Sequence, residues 1–376
     1  MSVEIRPIAP TRSQLRRFTQ FGIDLYRDNP YAVPPLVSDD VNTLSPKVNP
    51  AFDFCDCQCF MAYRDGKPVG RIAAIINRVV NERTNQKVLR FGFVDFIDDD
   101  EVVDALFDAA SEWGRKHGMT EMVGPMGFTD MDHEGMLTEG FEELGTMATI
   151  YNYPYYPRQM ERMGFKRDAE WIEMLIKVPE EIPEKYSRIA QIVKERNNLR
   201  VLKFTSRKKL KEQYGQAIFQ LVNEAYDQLY GYSPLTPRQV EYYIGIYLGI
   251  LNLKFVTLVV DENDRLVALG ISIQSFSRAL QKSRGKLFPF GWWYLLQALR
   301  GKTDIVDLLL IAVKPEYQNK GVNALLFTDL IPNYIAAGMK YAETNPELQT
   351  NNKVRGQWDY FDTRLHRRRC SFRKPL

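Results

Sequence analysis

One order of elements is written twice along the chain, and this constrains the fold more than any single motif. In the first half, Cys55, Cys57 and Cys59 alternate with Asp56 and Gln58, and Phe60 to Arg64 continues the pattern. Side chains repeat every second residue in a strand, so C-x-C-x-C reads as one face of a β-strand before it reads as a metal motif. Asp65-Gly66-Lys67-Pro68 turns the chain, and Val69 to Ile76 returns it as a hairpin. Phe91 to Phe96 is the next strand, followed by the acidic loop Asp98-Asp99-Asp100. A helix over 101–117 carries Val103, Leu106, Ala110 and Trp113 at helical spacing, with Gly118 at its C-terminal end. Met122-Val123, a short helix ending at Gly164-Phe165, and Trp171 to Val178 close the half.

The second half repeats the plan. A helix over 207–229 sets Leu210, Tyr214, Ile218 and Val222 on one face. Phe255 to Val260 and Leu266 to Ile273 flank the turn at 261–264. Ile305 to Val313 is a long apolar strand, 320–335 a helix, and Met339 to Glu343 another strand, before a basic C-terminal strand. The expected fold class is α/β (an α+β mixed sheet) in two tandem domains, 1–180 and 181–376, joined at the Pro179–Pro183 stretch. The duplication shows as pattern, not as shared letters.

Composition narrows the function classes. Fifty Lys and Arg against 47 Asp and Glu give a net charge of +3, too balanced for a general nucleic-acid binder, so no nucleic-acid partner is expected. Four Cys do not make a disulfide framework, and three scattered His (His117, His133, His366) do not make a zinc site, so no metal is expected. The N-terminus lacks the apolar core of a secretory signal, and no run reaches the roughly 18–20 apolar residues that span a bilayer. A cytoplasmic location is therefore expected. One segment points to a membrane surface: Leu287 to Leu299, LFPFGWWYLLQAL, preceded by Lys282, Arg284 and Lys286 and followed by Arg300 and Lys302, with no acid from Gln281 to Lys302. Aromatic rings beside cations suit the headgroup region of an anionic leaflet. A peripheral contact at the inner face of the cell membrane follows, with a buried helix joining two core strands as the other reading.

The stretch that carries chemistry is Leu309 to Leu326. A strand ends, Pro315 turns the chain, and Gln318-Asn319-Lys320-Gly321-Val322-Asn323 opens a helix. Successive backbone N–H groups at a helix N-terminus cradle an anion, Gly321 lets the backbone approach a phosphate, and Lys320 adds a cation. This order resembles the pyrophosphate loop of the GNAT acyltransferase superfamily, Gln/Arg-x-x-Gly-x-Gly/Ala. Gln318 and Gly321 match, and Asn323 stands at the final small position. The resemblance implies two tandem GNAT-like acyl-CoA N-acyltransferase domains, the first without a CoA loop, because the three acids at 98–100 would repel a pyrophosphate. It implies acyl-CoA (acetyl-CoA or long-chain acyl-CoA) as co-substrate, held by Ile311, Ala312, Val313, Gln318, Asn319, Lys320, Gly321, Val322, Asn323 and Asn351.

Further stretches (VGRIAA, FGFVDFIDD, GPMGFTDMDHEGMLTEGF, YNYPYY, PFG before a Trp/Leu helix, HRRRCSFRK) resemble a tandem GNAT subgroup that includes bacterial acyl-CoA-dependent ceramide synthases. That implies acyl transfer to the amine of a long-chain sphingoid base, giving a (dihydro)ceramide. An acetyl- or acyltransferase acting on a small amine, and a non-catalytic acyl-CoA- or lipid-binding module, stay open as alternatives. The catalytic candidates are Glu343 at the start of the strand beside the CoA strand, His133 in the Asp132-His133-Glu134 loop, and Tyr360 as acid for the CoA thiolate. Trp358, not Tyr360, lies seven residues past Asn351. His366 with Arg367, Arg368 and Arg369 reads as a basic strand facing CoA phosphate or membrane, and His117 as a helix C-terminal residue.

Overall fold

In a computed structural model, residues 2–301, 303–351 and 356–376 are described; Lys302, one of the cations flanking the aromatic segment, lies outside them. The strands are β1 (Glu4–Ile8), β2 (Cys55–Arg64), β3 (Lys67–Asn77), β4 (Val88–Phe96), β5 (Glu121–Gly124), β6 (Met136–Glu139), β7 (Lys166–Lys177), β8 (Arg200–Leu202), β9 (Val256–Val260), β10 (Leu266–Gln274), β11 (Ile305–Val313), β12 (Tyr341–Thr344), β13 (Glu347–Leu348) and β14 (Thr363–Pro375). The helices are α1 (Arg12–Leu25), α2 (Val37–Thr43), α3 (Arg78–Thr84), α4 (Asp100–Lys116), α5 (Tyr155–Arg162), α6 (Glu184–Arg196), α7 (Arg207–Tyr226), α8 (Pro237–Tyr247), α9 (Ser277–Ser283), α10 (Gly291–Leu299) and α11 (Asn323–Ala336).

The chain divides into two compact units. Unit 1 comprises Met1–Ile172, Ser277–Leu295 and Arg367–Leu376; unit 2 comprises Glu173–Phe276 and Leu296–His366. The aromatic segment therefore belongs to unit 1 as far as Leu295, although it is inserted between β10 and β11 of unit 2.

In unit 1 the sheet order is β1-β2-β3-β4-β5, antiparallel except where β4 and β5 run parallel. The cysteine run lies in β2, all four cysteines are free thiols, and Cys55 and Cys59 are buried, as expected of a strand face. Leu89, Phe91 and Phe96 of β4 pack with Val103, Leu106, Phe107 and Ala110 of α4. Each of the Val, Leu and Phe side chains contributes on the order of 1.5–3 kcal/mol by leaving water. α4 ends as anticipated: His117 caps it, its Nδ1 2.8 Å from the Trp113 carbonyl, and Gly118 takes the left-handed conformation (φ +78°).

Unit 2 repeats the plan with β12-β11-β10-β9-β8, parallel only between β11 and β12, and with β7 antiparallel to β12. α11 lays Leu325, Leu326, Leu330 and Ile331 into the core beside Val259 and Val267. It begins at Asn323, three residues later than the periodicity suggests, because Asn319 and Gly321 take positive φ (+60° and +76°) and cannot be helical.

Candidate acyl-CoA cleft

Both units carry a register shift in the strand that faces the chain's next parallel neighbour, and they use the resulting gap differently. In unit 2 the shift lies opposite Ile271/Ser272, which pair with Leu310 and Leu308 and leave Leu309 as the extra residue. β12 pairs with β11 only from Ile305 to Leu308, so the last five residues of β11 continue without this partner. The Lys314 N–H donates to the Val267 carbonyl, so Ala312 and Leu310 also face β10, while Val313 and Ile311 face the open side. Three carbonyls along that side are met by side chains: Leu309 by Asn345 Nδ2 at 3.0 Å, Ile311 by the Tyr226 hydroxyl at 2.9 Å, and Val313 by Gln318 Nε2 at 3.1 Å. Burial pushes the Tyr226 hydroxyl up to about 12, which keeps it a donor.

The loop that follows supplies the donors. The backbone N–H groups of residues 319–323 make no well-formed hydrogen bond among the described residues, whereas the next two, Ala324 and Leu325, already bond to Gly321 and Val322. Val322 at the helix N-cap offers no side-chain acceptor. A helix N-terminus of this kind holds partial positive charge and free donors, which is the chemistry an anionic phosphate needs. Gly321 is required twice over: its φ is left-handed, and a Cβ there would stand 2.9 Å from Ile189 Cγ2. Lys320 extends over the Tyr317 ring, its Nζ 5.4 Å from the centroid. Asn351 is half-buried at the end of a turn, with its N–H on the Leu348 carbonyl.

In unit 1 the same gap is closed by the chain itself. β4 shifts register between Arg71 and Ala73, with Phe93 at φ +45°, and β5 pairs only with residues 88–90. Residues 125–129 then fill the opening. Met126 N–H donates to the Phe91 carbonyl, a Cβ on Gly92 would stand 2.3 Å from the Met126 carbonyl oxygen, and the buried Arg90 reaches the Gly127 and Phe128 carbonyls. The helix entry is filled as well: Asp99 caps α4, and arginines hold the acids, Arg64 on Asp99, Arg158 on Asp98, and Arg162 on Asp100 and Asp104. Among the described residues of unit 1, the entry of α4 is thus capped and acidic, with no open cradle like that at residues 319–323.

Glu343 lies at the root of the unit 2 cleft, one residue before β12 ends. It is buried, not part of a surface pair. Its Oε1 is 3.4 Å from His366 Nε2, and Glu173 completes a buried trio whose ligand-type atoms lie within 4.8 Å of one another. Asp307, also buried, is the register partner of Glu343 on β11. The trio is the one grouping of metal-ligand type among the described residues. Sequence reasoning missed Glu173 and Asp307; the signal was an acid flanked by apolar residues, Glu173 in WIEMLI of β7 and Asp307 in IVDLLL of β11.

The other two candidates have different surroundings. His133 is in unit 1, half-buried, its Nε2 3.0 Å from the Met147 carbonyl, and burial pulls its pKa down, which keeps it neutral near pH 7. Tyr360 follows a short 3₁₀ turn and is 52% exposed, with Lys185 Nζ 3.5 Å from its ring centroid. The basic C-terminal strand departs from expectation: His366, Arg367 and Arg369 are buried. Arg367 donates to the Leu144 carbonyl and Arg369 to that of Ile150, so in β14 backbone carbonyls, not phosphate or lipid, meet these guanidiniums.

Comparison with known proteins agrees with this architecture. No family model matches the chain. It is 26% identical over 322 residues to Protein YghO of Escherichia coli, covering 85% of this chain and 81% of that protein. It is 26% identical over 311 residues to the bacterial ceramide synthase of Caulobacter vibrioides, covering 82% and 80%. Among solved structures it resembles a tandem GNAT protein from the clavulanic acid biosynthesis pathway, with a TM-score of 0.58, 12% identity, and coverage of 100% of this chain and 98% of that one.

Proposed function

The chain has the tandem GNAT acyltransferase fold, and we propose that unit 2 transfers an acyl group from acyl-CoA to an amine, with a long-chain sphingoid base as the acceptor. The observation that carries the donor half is the run of five N–H groups without a well-formed hydrogen bond at residues 319–323, directly after a strand whose open side has lost its partner. The pyrophosphate sits on those N–H groups with Lys320 beside it, and the pantetheine arm runs along Ile311, Ala312 and Val313. Gln318 braces the end of that strand through the Val313 carbonyl, and Asn351 is assigned to the same site by the family resemblance. The acceptor half is supported by the likeness to the Caulobacter protein and by the aromatic segment, which suits a substrate drawn from a lipid phase.

In the reaction the amine nitrogen forms a bond to the thioester carbon and the carbon–sulfur bond breaks. The amine gives up a proton, and the CoA sulfur leaves as thiolate and is protonated. A backbone N–H at Val313 polarises the thioester oxygen. Glu343 takes the amine proton, and His366, 3.4 Å away, stabilises the carboxylate. His133 and Tyr360 receive no step: the first already bonds a carbonyl in unit 1, and the second stands in solvent.

The aromatic segment anchors the chain to an anionic bilayer. Phe288 and Phe290 are 78% and 70% exposed, Trp292 and Trp293 stand out beside them, and Arg278, Lys282, Arg284 and Lys286 line the approach. Among the described residues no helix is long and apolar enough to cross a membrane.

The test is thiol release on mixing the protein with palmitoyl-CoA and sphinganine in detergent, with acetyl-CoA and an amine-free run as controls. Amine-dependent release with the long donor is the expected result. Release only with acetyl-CoA and small amines would keep the transfer chemistry and remove the lipid acceptor; absence of any release with acyl-CoA bound would leave a binding module.

A further inference from the structure

Unit 1 contains a cavity of about 460 Å³ to which the acyl-transfer reading gives no task. That volume falls in the roughly 300–1,000 Å³ range of small-molecule sites. Its floor is the bulge of β4, Phe93 to Asp95, with Arg71 of β3. One wall is Ile23 of α1 with Val33, Pro34 and Pro35, and the mouth carries Arg278, Arg284 and Lys286. The inserted segment is fixed there by its own bonds: Val37 N–H donates to the Gly285 carbonyl, and Gln281 Nε2 to the carbonyls of Pro30 and Ala32.

Two buried carboxylates line this cavity, and they differ. Asp95 is satisfied, held by Arg71 at 2.6 Å and by the Tyr26 hydroxyl at 2.9 Å. Asp40 is 8% exposed, and its side chain makes no hydrogen bond or ion pair among the described residues. A buried carboxylate without a partner is costly, and the cost is removed by a ligand that brings both a positive charge and N–H donors. Arg71 acts on Asp40 but is already engaged by Asp95, while Asp39, Asp95 and Asp132 repel further negative charge. Burial pushes the Asp40 carboxyl up to about 7. The apolar wall of Ile23, Val33, Pro34 and Pro35 offers contact to a hydrocarbon chain, and the exposed lining carries four cations (Arg27, Arg278, Arg284 and Lys286) against two acids (Asp24 and Asp28), a net positive rim that disfavours a second positive charge.

We propose that the unit 1 cavity binds a primary alkylammonium, its nitrogen at Asp40 and its chain along Ile23, Val33, Pro34 and Pro35. The proposal rests on the acyl-transfer reading only for the expectation of an amine ligand, and an amine held at Asp40 is distinct from the one that Glu343 deprotonates. The site's geometry stands independently of the unit 2 cleft.

The experiment is titration calorimetry of the full chain at pH 8 with octylamine, 1-octanol, octanoate and 1,4-diaminobutane. Octylamine is expected to bind, with the other three at least about tenfold weaker, a difference of about 1.4 kcal/mol. Asp40→Asn weakens octylamine by a similar factor or more, and Val33→Trp, which narrows the cavity without touching the carboxylate, weakens it too. Octanol binding as well as octylamine, unchanged octylamine affinity in either variant, or no octylamine binding up to about 10 mM would overturn the proposal. If Asp40→Asn fails to fold, Val33→Trp decides. Gly321→Asp separates the two readings: it should lose acyl-CoA and keep octylamine. Loss of octylamine in Gly321→Asp with retention in Asp40→Asn would place the amine in unit 2, ending this proposal and leaving acyl transfer standing.

Discussion

Glu343 and His366 face each other at 3.4 Å, carboxylate oxygen to ring nitrogen, and each is less than a tenth exposed. The carboxylate comes from the strand that stops where the cleft opens, so it stands at the base of the gap. Glu343→Gln keeps the shape and removes the proton acceptor. Thiol release should fall by about 10²–10⁴-fold, the usual worth of a general base, with acyl-CoA affinity retained. His366→Asn keeps Glu343 and removes its partner. It leaves a buried carboxylate with less support, whereas Glu343→Gln leaves a neutral amide, so the melting temperature should fall more in His366→Asn than in Glu343→Gln. Turnover in Glu343→Gln near the wild-type rate would remove Glu343 from the mechanism.

Gly321 offers a test of the phosphate cradle by a single methyl group. Gly321→Ala places a Cβ on a left-handed residue, costing about 1–2 kcal/mol, and sets that carbon 2.9 Å from Ile189 Cγ2. The loop must shift, and the five N–H groups lose their common focus. Acyl-CoA affinity measured by calorimetry should drop at least about tenfold, while CoA-independent properties such as the far-ultraviolet spectrum stay close to wild type. Unchanged affinity would mean the phosphates bind elsewhere.

Most of the fold and the loop were legible in the sequence because both rest on local chemistry. Strand alternation at Cys55–Cys59, the turn at Asp65-Gly66 and the Gln318–Gly321 junction are settled within a few residues. Burial of charge was not legible. Arg367 and Arg369 look like surface cations until carbonyls of the loops at 144 and 150, more than 200 residues away in sequence, are brought against them. Arg71 sits in the VGRIAA hairpin with no sign of the Asp95 carboxylate it meets. Glu173 and His366 join Glu343 only because three strands distant in sequence converge. The closed gap of unit 1 was visible only in part: the acids at 98–100 announced a helix entry unfit for phosphate, but nothing local in 125–129 says that it fills a cleft.

Stability should fall as pH rises, and Asp40 should account for part of it. In the folded chain burial and the charges of Asp39, Asp95 and Asp132 hold the Asp40 proton up to about pH 7 against the opposing pull of Arg71. The unfolded chain releases it near ~4. Between those values the folded state binds more protons, so unfolding becomes easier with rising pH. Asp132, raised to about 6, and Glu134, raised to about 8, act in the same direction. Melting temperature measured from pH 5 to pH 8 should decline in the wild type and less steeply in Asp40→Asn, which should be the more stable protein at pH 8. Parallel curves for the two proteins would show that Asp40 ionises normally in the folded state.

The exposed rings of the inserted segment give the last test. Phe288, Phe290, Trp292 and Trp293 present apolar surface that a soluble face would rarely keep together, and the charged residues around them are cations. Buried rings and anionic headgroups act jointly on such a surface, so both should be needed. Co-sedimentation with phosphatidylglycerol vesicles should be strong at low salt and weaken as salt screens the cations, and pure phosphatidylcholine vesicles should bind poorly. Trp292→Ala with Trp293→Ala should reduce binding about tenfold or more without shifting the melting temperature, since these side chains stand out from the core. Lys282→Glu with Lys286→Glu should abolish the preference for anionic vesicles. Retained binding in the Trp pair variant together with lost binding in the Lys pair variant would show an electrostatic contact alone, with the rings left to another surface.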